Sequence, residues 1–228
     1  MSTRYILINI RMSKVIIFGI QDFAELAHYY LQNDSEHQVV AFSVNQNYLP
    51  DIREFKGLPV VAFEEIEKRF PTSEYKFFAP MSPLKMNRLR ESIYNDIKAK
   101  GYEMISYISS KATICHNEIG DNCFILEDNT IQPFTKIGNN VILWSGNHIG
   151  HHGVIEDHVL FTSHVVMSGH CKIEKYSTLG VNSTLRDGVK IAEGTFVAMG
   201  ACITKNTDPW SMYKGNPAVK SERSTKDL

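Results

Sequence analysis

From residue 119 to residue 203 a large apolar side chain returns at every sixth position without a slip: Ile119, Ile125, Ile131, Ile137, Leu143, Ile149, Ile155, Phe161, Met167, Ile173, Leu179, Leu185, Ile191, Val197 and Ile203. This period fits neither a helix turn of about 3.6 residues nor the alternation of a hairpin strand, so the segment must be a stack of short repeats. Four positions after most of these stands a small or β-branched residue, as at Cys123, Thr135, Val141, Gly153, Val159, Val165, Cys171, Ser177, Ser183, Val189, Thr195 and Ala201. One large and one small inward residue per hexad, followed by turn formers such as Gly120, Asn139, Asn140, Gly150, Asp157, Asp187 and Gly188, describes a short strand and a corner. Three strands close a triangular coil of eighteen residues, and the hexads fill five coils. At a strand spacing of roughly 4.8 Å the prism is about 24 Å tall.

The chain has 228 residues, 43% of them hydrophobic, which is enough for one large or two small domains with a real core. Its formal net charge of -1 and its lack of a basic cluster argue against nucleic acid or an anionic membrane as partner. Tyr5 to Ile10 is apolar but too short to span a bilayer, and Arg4 and Arg11 flank it, so a cytoplasmic location is expected. Met12 begins a more usual opening, which makes residues 1–11 an expected upstream extension. The four cysteines, Cys115, Cys123, Cys171 and Cys202, have no Cys-x-x-Cys spacing and are read as reduced packing residues.

Before the repeat, strands alternate with helices. The pattern gives strands at Lys14–Phe18, Val39–Val44, Leu58–Ala62, Lys76–Pro80 and Met104–Ile108, with helices at Asp22–Leu31, Phe63–Phe70 and Pro83–Ala99, and Asp22 as the first N-cap. That order implies a small parallel sheet of Rossmann type over residues 12–107, with the solenoid following over 108–220. Ile108 and Ile114 are six apart but Ile119 follows after five, so the first coil should carry a one-residue irregularity. The hexads stop after Ile203, and the polar tail Ser221–Leu228 is expected to be disordered.

Six of the nine histidines fall in one stretch: His148, His151, His152, His158, His164 and His170. Residues eighteen apart lie in successive coils, so His152 should stack on His170, His158 on Tyr176 and His164 on Asn182, as ladders on the outer surface. His151 stacks beneath Gly169, so no side chain should fill the space above its ring, and it is the histidine best placed to face an open cleft. Exposed corners tolerate polar residues, and that explains any one of the other five. The spacing of His148 and His152 leaves zinc open as a rival to proton transfer.

The hexads resemble those of the hexapeptide-repeat acyltransferases, whose parallel β-helix is left-handed, against the general rule for parallel crossovers. The order of a small Rossmann-like domain, a five-coil helix and a closing Gly215-Asn216-Pro217-Ala218 resembles the bacterial sugar acetyltransferases of the NeuD and PglD type over residues 12–220. The resemblance implies an α/β Rossmann-like N-terminal domain followed by a left-handed parallel β-helix, a homotrimer, acetyl-CoA as cosubstrate, and N-acetylation of a nucleotide-linked amino sugar for surface polysaccharide synthesis. O-acetylation of a sialic acid or another sugar hydroxyl remains the alternative, and a zinc enzyme like the gamma-class carbonic anhydrases a more distant one.

By the same resemblance, Ile149-Gly150-His151-His152 matches the family's catalytic segment and gives His151 the role of general base. The family's acidic neighbour is replaced by His152, which leaves Asp187 as a candidate orienting carboxylate. Gly169, Val181, Met199 and Gly200 match cofactor positions along the prism edge. Trp144 stands where relatives often carry Asn. On the acceptor side Gln21, Asp22 and Phe23 follow Gly19 where relatives carry a glycine-rich loop, and Asn45 lies where an acidic pair is expected, with Lys85, Asn87 and Arg88 as possible phosphate contacts. No metal ligand is implied.

Overall fold

A computed structural model describes residues 12–227. The apolar segment at Tyr5–Ile10, the expected extension 1–11 and Leu228 lie outside the described residues. The N-terminal layer runs β1 (Lys14–Phe18), α1 (Asp22–Asn33), β2 (Gln38–Val44), β3 (Glu54–Phe55), β4 (Leu58–Ala62), α2 (Ile66–Arg69), β5 (Tyr75–Phe78) and α3 (Arg88–Ala99). Its sheet has the order β3-β4-β2-β1-β5, parallel except where the short β3 pairs antiparallel with β4. The inner strand β1, between β2 and β5, is buried from Val15 to Phe18, as its unbroken apolar run requires.

Several boundaries differ from those read in the sequence. The N-cap of α1 is Gln21, and Asp22 is the first helical residue. α3 begins at Arg88 because Lys85, Met86 and Asn87 all adopt left-handed backbone, which ends any helix started at Pro83. Met104 makes only an isolated parallel bridge to Phe77, and the strand that follows, Tyr107–Ile108, belongs to the solenoid.

Strands of two residues each then stack in parallel on three faces. The first face starts at Tyr107–Ile108, the second at Thr113–Ile114 and the third at Glu118–Ile119. Tyr107 pairs with Phe124 and Thr113 with Thr130, a step of seventeen, whereas Glu118 pairs with Lys136 and the later steps as far as Cys202 are of eighteen. The one-residue irregularity therefore lies in the first coil, before Glu118. The sixth-position residues fill a single core with Cys123, Val141, Val159, Val165, Cys171, Val189 and Ala201. All four cysteines are free thiols.

The corners are as regular as the strands. Left-handed backbone recurs at every sixth residue, at His116, Asn122, Asp128, Phe134, Asn140, Gly146, His152, His158, His164, His170, Tyr176, Asn182, Gly188, Gly194 and Gly200. Asn, Asp, His and Gly are the residues that enter this region at least cost.

The tail is ordered, contrary to expectation. Ser211–Lys214 pairs parallel with Phe196–Val197 and extends the first face, and Val219–Ser224 folds back antiparallel on it. Thr225 is buried, donating Oγ1 to Gly194 O at 2.7 Å.

The two domains share a core. On the third face the outward strand residue is often lysine, as at Lys136, Lys172 and Lys190, but on the first face it is Phe124, Ile142 and Leu160, each 1% exposed. These three pack with Leu31, Val60, Phe78 and other residues of the sheet layer. Asp34, just after α1, accepts hydrogen bonds from Tyr107 Oη (2.6 Å) and the Ser110 N–H (2.9 Å). Desolvation raises the pKa of this carboxyl, but the hydrogen bonds from Ser110, Tyr107 and Ser109 outweigh it and hold it at about 2. Among the described residues no helix is long and apolar enough to cross a membrane.

Candidate active site

The left-handed corner positions sort the histidines. His152, His158, His164 and His170 each occupy one, and His148 lies in a strand of the second face. His151 alone of the six is neither, so no backbone requirement accounts for it. His158 is not on the outer surface, where a ladder with Tyr176 was expected to stand. It is 6% exposed beneath α3, its Nδ1 2.9 Å from Asn140 Nδ2 and its ring stacked on Tyr176 at 5.7 Å. Burial lowers its pKa, with the nearby Glu91 opposing. The ring of His164 lies over Gly146 in the preceding coil.

His151, His152 and His170 stand together on the corner between the second and third faces, all exposed. His152 and His170 stack with centroids 5.0 Å apart and planes 15° from parallel, the ladder that the eighteen-residue step requires. His151 stands perpendicular to both and its Nδ1 lies 3.0 Å from Nδ1 of His152. Its backbone N–H donates to Gln132 Oε1 at 3.1 Å, and its carbonyl accepts from the His170 N–H at 2.9 Å.

The His151 ring is exposed and leans into the place that a side chain at 169 would fill. A Cβ on Gly169 would stand 2.7 Å from His151 Cε1, 2.9 Å from its Nε2 and 3.0 Å from Asp187 Oδ1. Glycine at 169 is thus what lets the imidazole lean across the coil, and Asp187 reaches the same spot from the coil beyond. His152 Nδ1 is the partner of His151 Nδ1.

The other cofactor candidates lie elsewhere. Val181, Met199 and Gly200 fall on the corner between the first and second faces, where the Gly200 N–H donates to Val181 O at 2.8 Å and Met199 is 77% exposed. Within one chain Gly169 and these three do not share an edge. Trp144 is on that same first-to-second corner, half-buried, with Phe23 edge-on to it at 5.7 Å. The structure thus joins the residues after Gly19 to the solenoid through Phe23. Gln21 and Asp22 are exposed at the start of α1, and Asn45 precedes a short 3₁₀ turn beyond β2. Asn87 is not available to a phosphate: it is fully buried, donating to Tyr176 O (2.9 Å) and Thr178 Oγ1 (3.0 Å). Arg88 lies over the Trp210 ring.

The architecture, a Rossmann-like layer docked on a prism of hexapeptide coils, is one that this chain shares with known proteins. Residues 118–151 match the family described as bacterial transferase hexapeptide (six repeats). No curated protein matches the chain. A variant of perosamine N-acetyltransferase from Caulobacter crescentus, solved with CoA and GDP-perosamine, superposes with a TM-score of 0.83 at 18% identity, covering 92% of this chain and 98% of its own. The acetyltransferase domain of PglB from Neisseria gonorrhoeae FA1090, solved with acetyl coenzyme A, gives 0.78 at 17% identity, with 92% and 100% covered. WeeI from Acinetobacter baumannii AYE gives 0.77 at 19% identity, again with 92% and 100% covered. These likenesses extend through both domains.

Proposed function

We propose that the chain is an acetyl-CoA-dependent N-acetyltransferase acting on a nucleotide-linked amino sugar for surface glycan synthesis, with His151 as general base. The observation that carries the reading is His151 itself: an exposed imidazole with no structural duty, held by His152 on one nitrogen and given room by Gly169. The fold supports the substrate class, since a protein of the same two-domain architecture binds CoA and GDP-perosamine.

The chemistry is direct transfer. The acceptor nitrogen attacks the thioester carbonyl, His151 Nε2 takes the proton released by the nitrogen, and the collapsing intermediate expels CoA as thiolate, which is protonated to the thiol. For Nε2 to accept, Nδ1 must carry the ring proton, and His152 Nδ1 is placed to receive that hydrogen bond.

A homotrimer suits the division of the site. His151 and Gly169 occupy one edge of the second face, while Trp144, Val181 and Met199 occupy the other. The outward strand residues between them, Thr130, His148, Val166, Thr184 and Cys202, include no lysine or carboxylate. Such a face suits contact with a second copy, which brings the far edge of one prism against the near edge of the next.

The test is release of CoA thiol from acetyl-CoA with a panel of nucleotide-linked amino sugars and their hydroxyl counterparts. Turnover with an amine acceptor is expected, and its absence across the panel would sink the reading. Gly169→Ala is expected to lower kcat on the order of 10²-fold, because the new methyl displaces the imidazole by about an ångström. Circular dichroism should remain that of the unaltered protein; an unchanged kcat would show that the lean of His151 over Gly169 is irrelevant to turnover.

A further inference from the structure

We propose that His151, His152 and His170 form a binding site for one divalent transition-metal ion of the zinc type. Each offers one ring nitrogen, and the three nitrogens lie within 4.8 Å of one another. In a tetrahedral zinc site with Zn–N of about 2.0–2.1 Å, ligand nitrogens are about 3.3–3.4 Å apart. The His151–His152 pair is already at 3.0 Å, so rotation of exposed side chains closes the remainder.

The corner geometry builds this cluster. His152 and His170 are successive left-handed corner residues, so the coil step stacks their rings, and His151 is brought across them by the glycine at 169. Below, the Phe134 ring packs on His152 at 4.7 Å and forms an apolar floor. Above, the next corner residue is Gly188, whose side-chain position is vacant, with nothing within 4 Å. One side is therefore sheltered and the other open, leaving a coordination position for water. Three neutral imidazoles without a carboxylate among them select zinc, copper or nickel over magnesium and calcium.

Binding takes the lone pair of His151. If the proposed acetyl transfer holds, the ion must inhibit it, so one set of side chains serves as catalyst or as metal site but not both. Only this inhibition rests on the proposed function.

The experiment uses the untagged full chain and zinc in competition with a chromophoric chelator, with cobalt absorption as a second readout. One zinc per chain is expected. His152→Asn and His170→Asn should each weaken binding at least tenfold; asparagine already occupies the same left-handed position at Asn140 and Asn182, so these variants fold. His148→Asn should leave affinity unchanged. His170→Asn should also keep its zinc-free turnover while losing zinc inhibition. Zinc affinity unaltered in both His152→Asn and His170→Asn, or the absence of stoichiometric binding, overturns the site. Failure of acetyl transfer alone would leave the binding results standing.

Discussion

His151→Ala is expected to lower turnover by about 10²- to 10⁴-fold, the usual contribution of a positioned general base, with acetyl-CoA affinity little changed. At about 1.36 kcal/mol per tenfold this is roughly 2.7 to 5.4 kcal/mol of barrier. The effect should fall on kcat because the thioester and the acceptor still bind; what is lost is the group that takes the proton as the nitrogen attacks. His152→Ala should cost less, on the order of tenfold, since it removes one hydrogen bond to Nδ1 worth about 1.4 kcal/mol and leaves the base in place. His164→Ala removes a ring on the corner that also carries Trp144, Val181 and Met199, and should cost less than His151→Ala with the loss falling on substrate KM. Steady-state kinetics on the three variants with a chelator present separate these outcomes. Turnover of His151→Ala within a few-fold of the unaltered protein would remove the base from the mechanism.

The prism was legible because its hexads are uninterrupted and each coil repeats the same inward pair. A second signal at the same period was equally present: the left-handed residues from His116 to Gly200 read as Asn, Asp, His or Gly at all but two corners, Phe134 and Tyr176. Reading it would have separated His151 from the corner histidines on backbone grounds alone. A third signal had a period of eighteen. Phe124, Ile142 and Leu160 are outward residues that are apolar where another face carries lysine, and they mark the face covered by the N-terminal layer. The edges bearing Gly169 and Val181 also differ by coil register alone: 181 lies twelve residues, two faces, beyond 169.

What the sequence could not give was the joint between the domains. Arg90 sits in an amphipathic helix among other charged residues and reads as solvent-facing. In the fold it is 1% exposed. A burial of this kind depends on how α3 crosses the solenoid, which no local pattern encodes. The same is true of Asn87, whose left-handed backbone and buried amide replace an ordinary helix cap.

Arg90→Met is therefore expected to be the most damaging substitution for stability. The guanidinium donates to Asn140 O (2.7 Å), His158 O (3.0 Å), Val159 O (3.3 Å) and Asn87 Oδ1 (3.1 Å), which ties α3 to two successive coils. None of its hydrogen-bond partners is a carboxylate. Burial lowers its pKa to about 9, still above neutral, and the carbonyl dipoles replace the water it has lost. Methionine fills much of the volume but leaves buried acceptors without donors, at about 1–3 kcal/mol each where no other partner reaches them. Some of these carbonyls relax toward other donors, so a net loss of about 3 kcal/mol is expected. For a chain of this size that lowers Tm by roughly 6–12 °C. Arg90→Lys should recover only part of it, because one ammonium cannot span carbonyls that a planar fork reaches together. Calorimetry on both variants measures the loss; a Tm for Arg90→Met within about 2 °C of the unaltered protein would mean that the shared apolar core, and not Arg90, holds the layer to the prism.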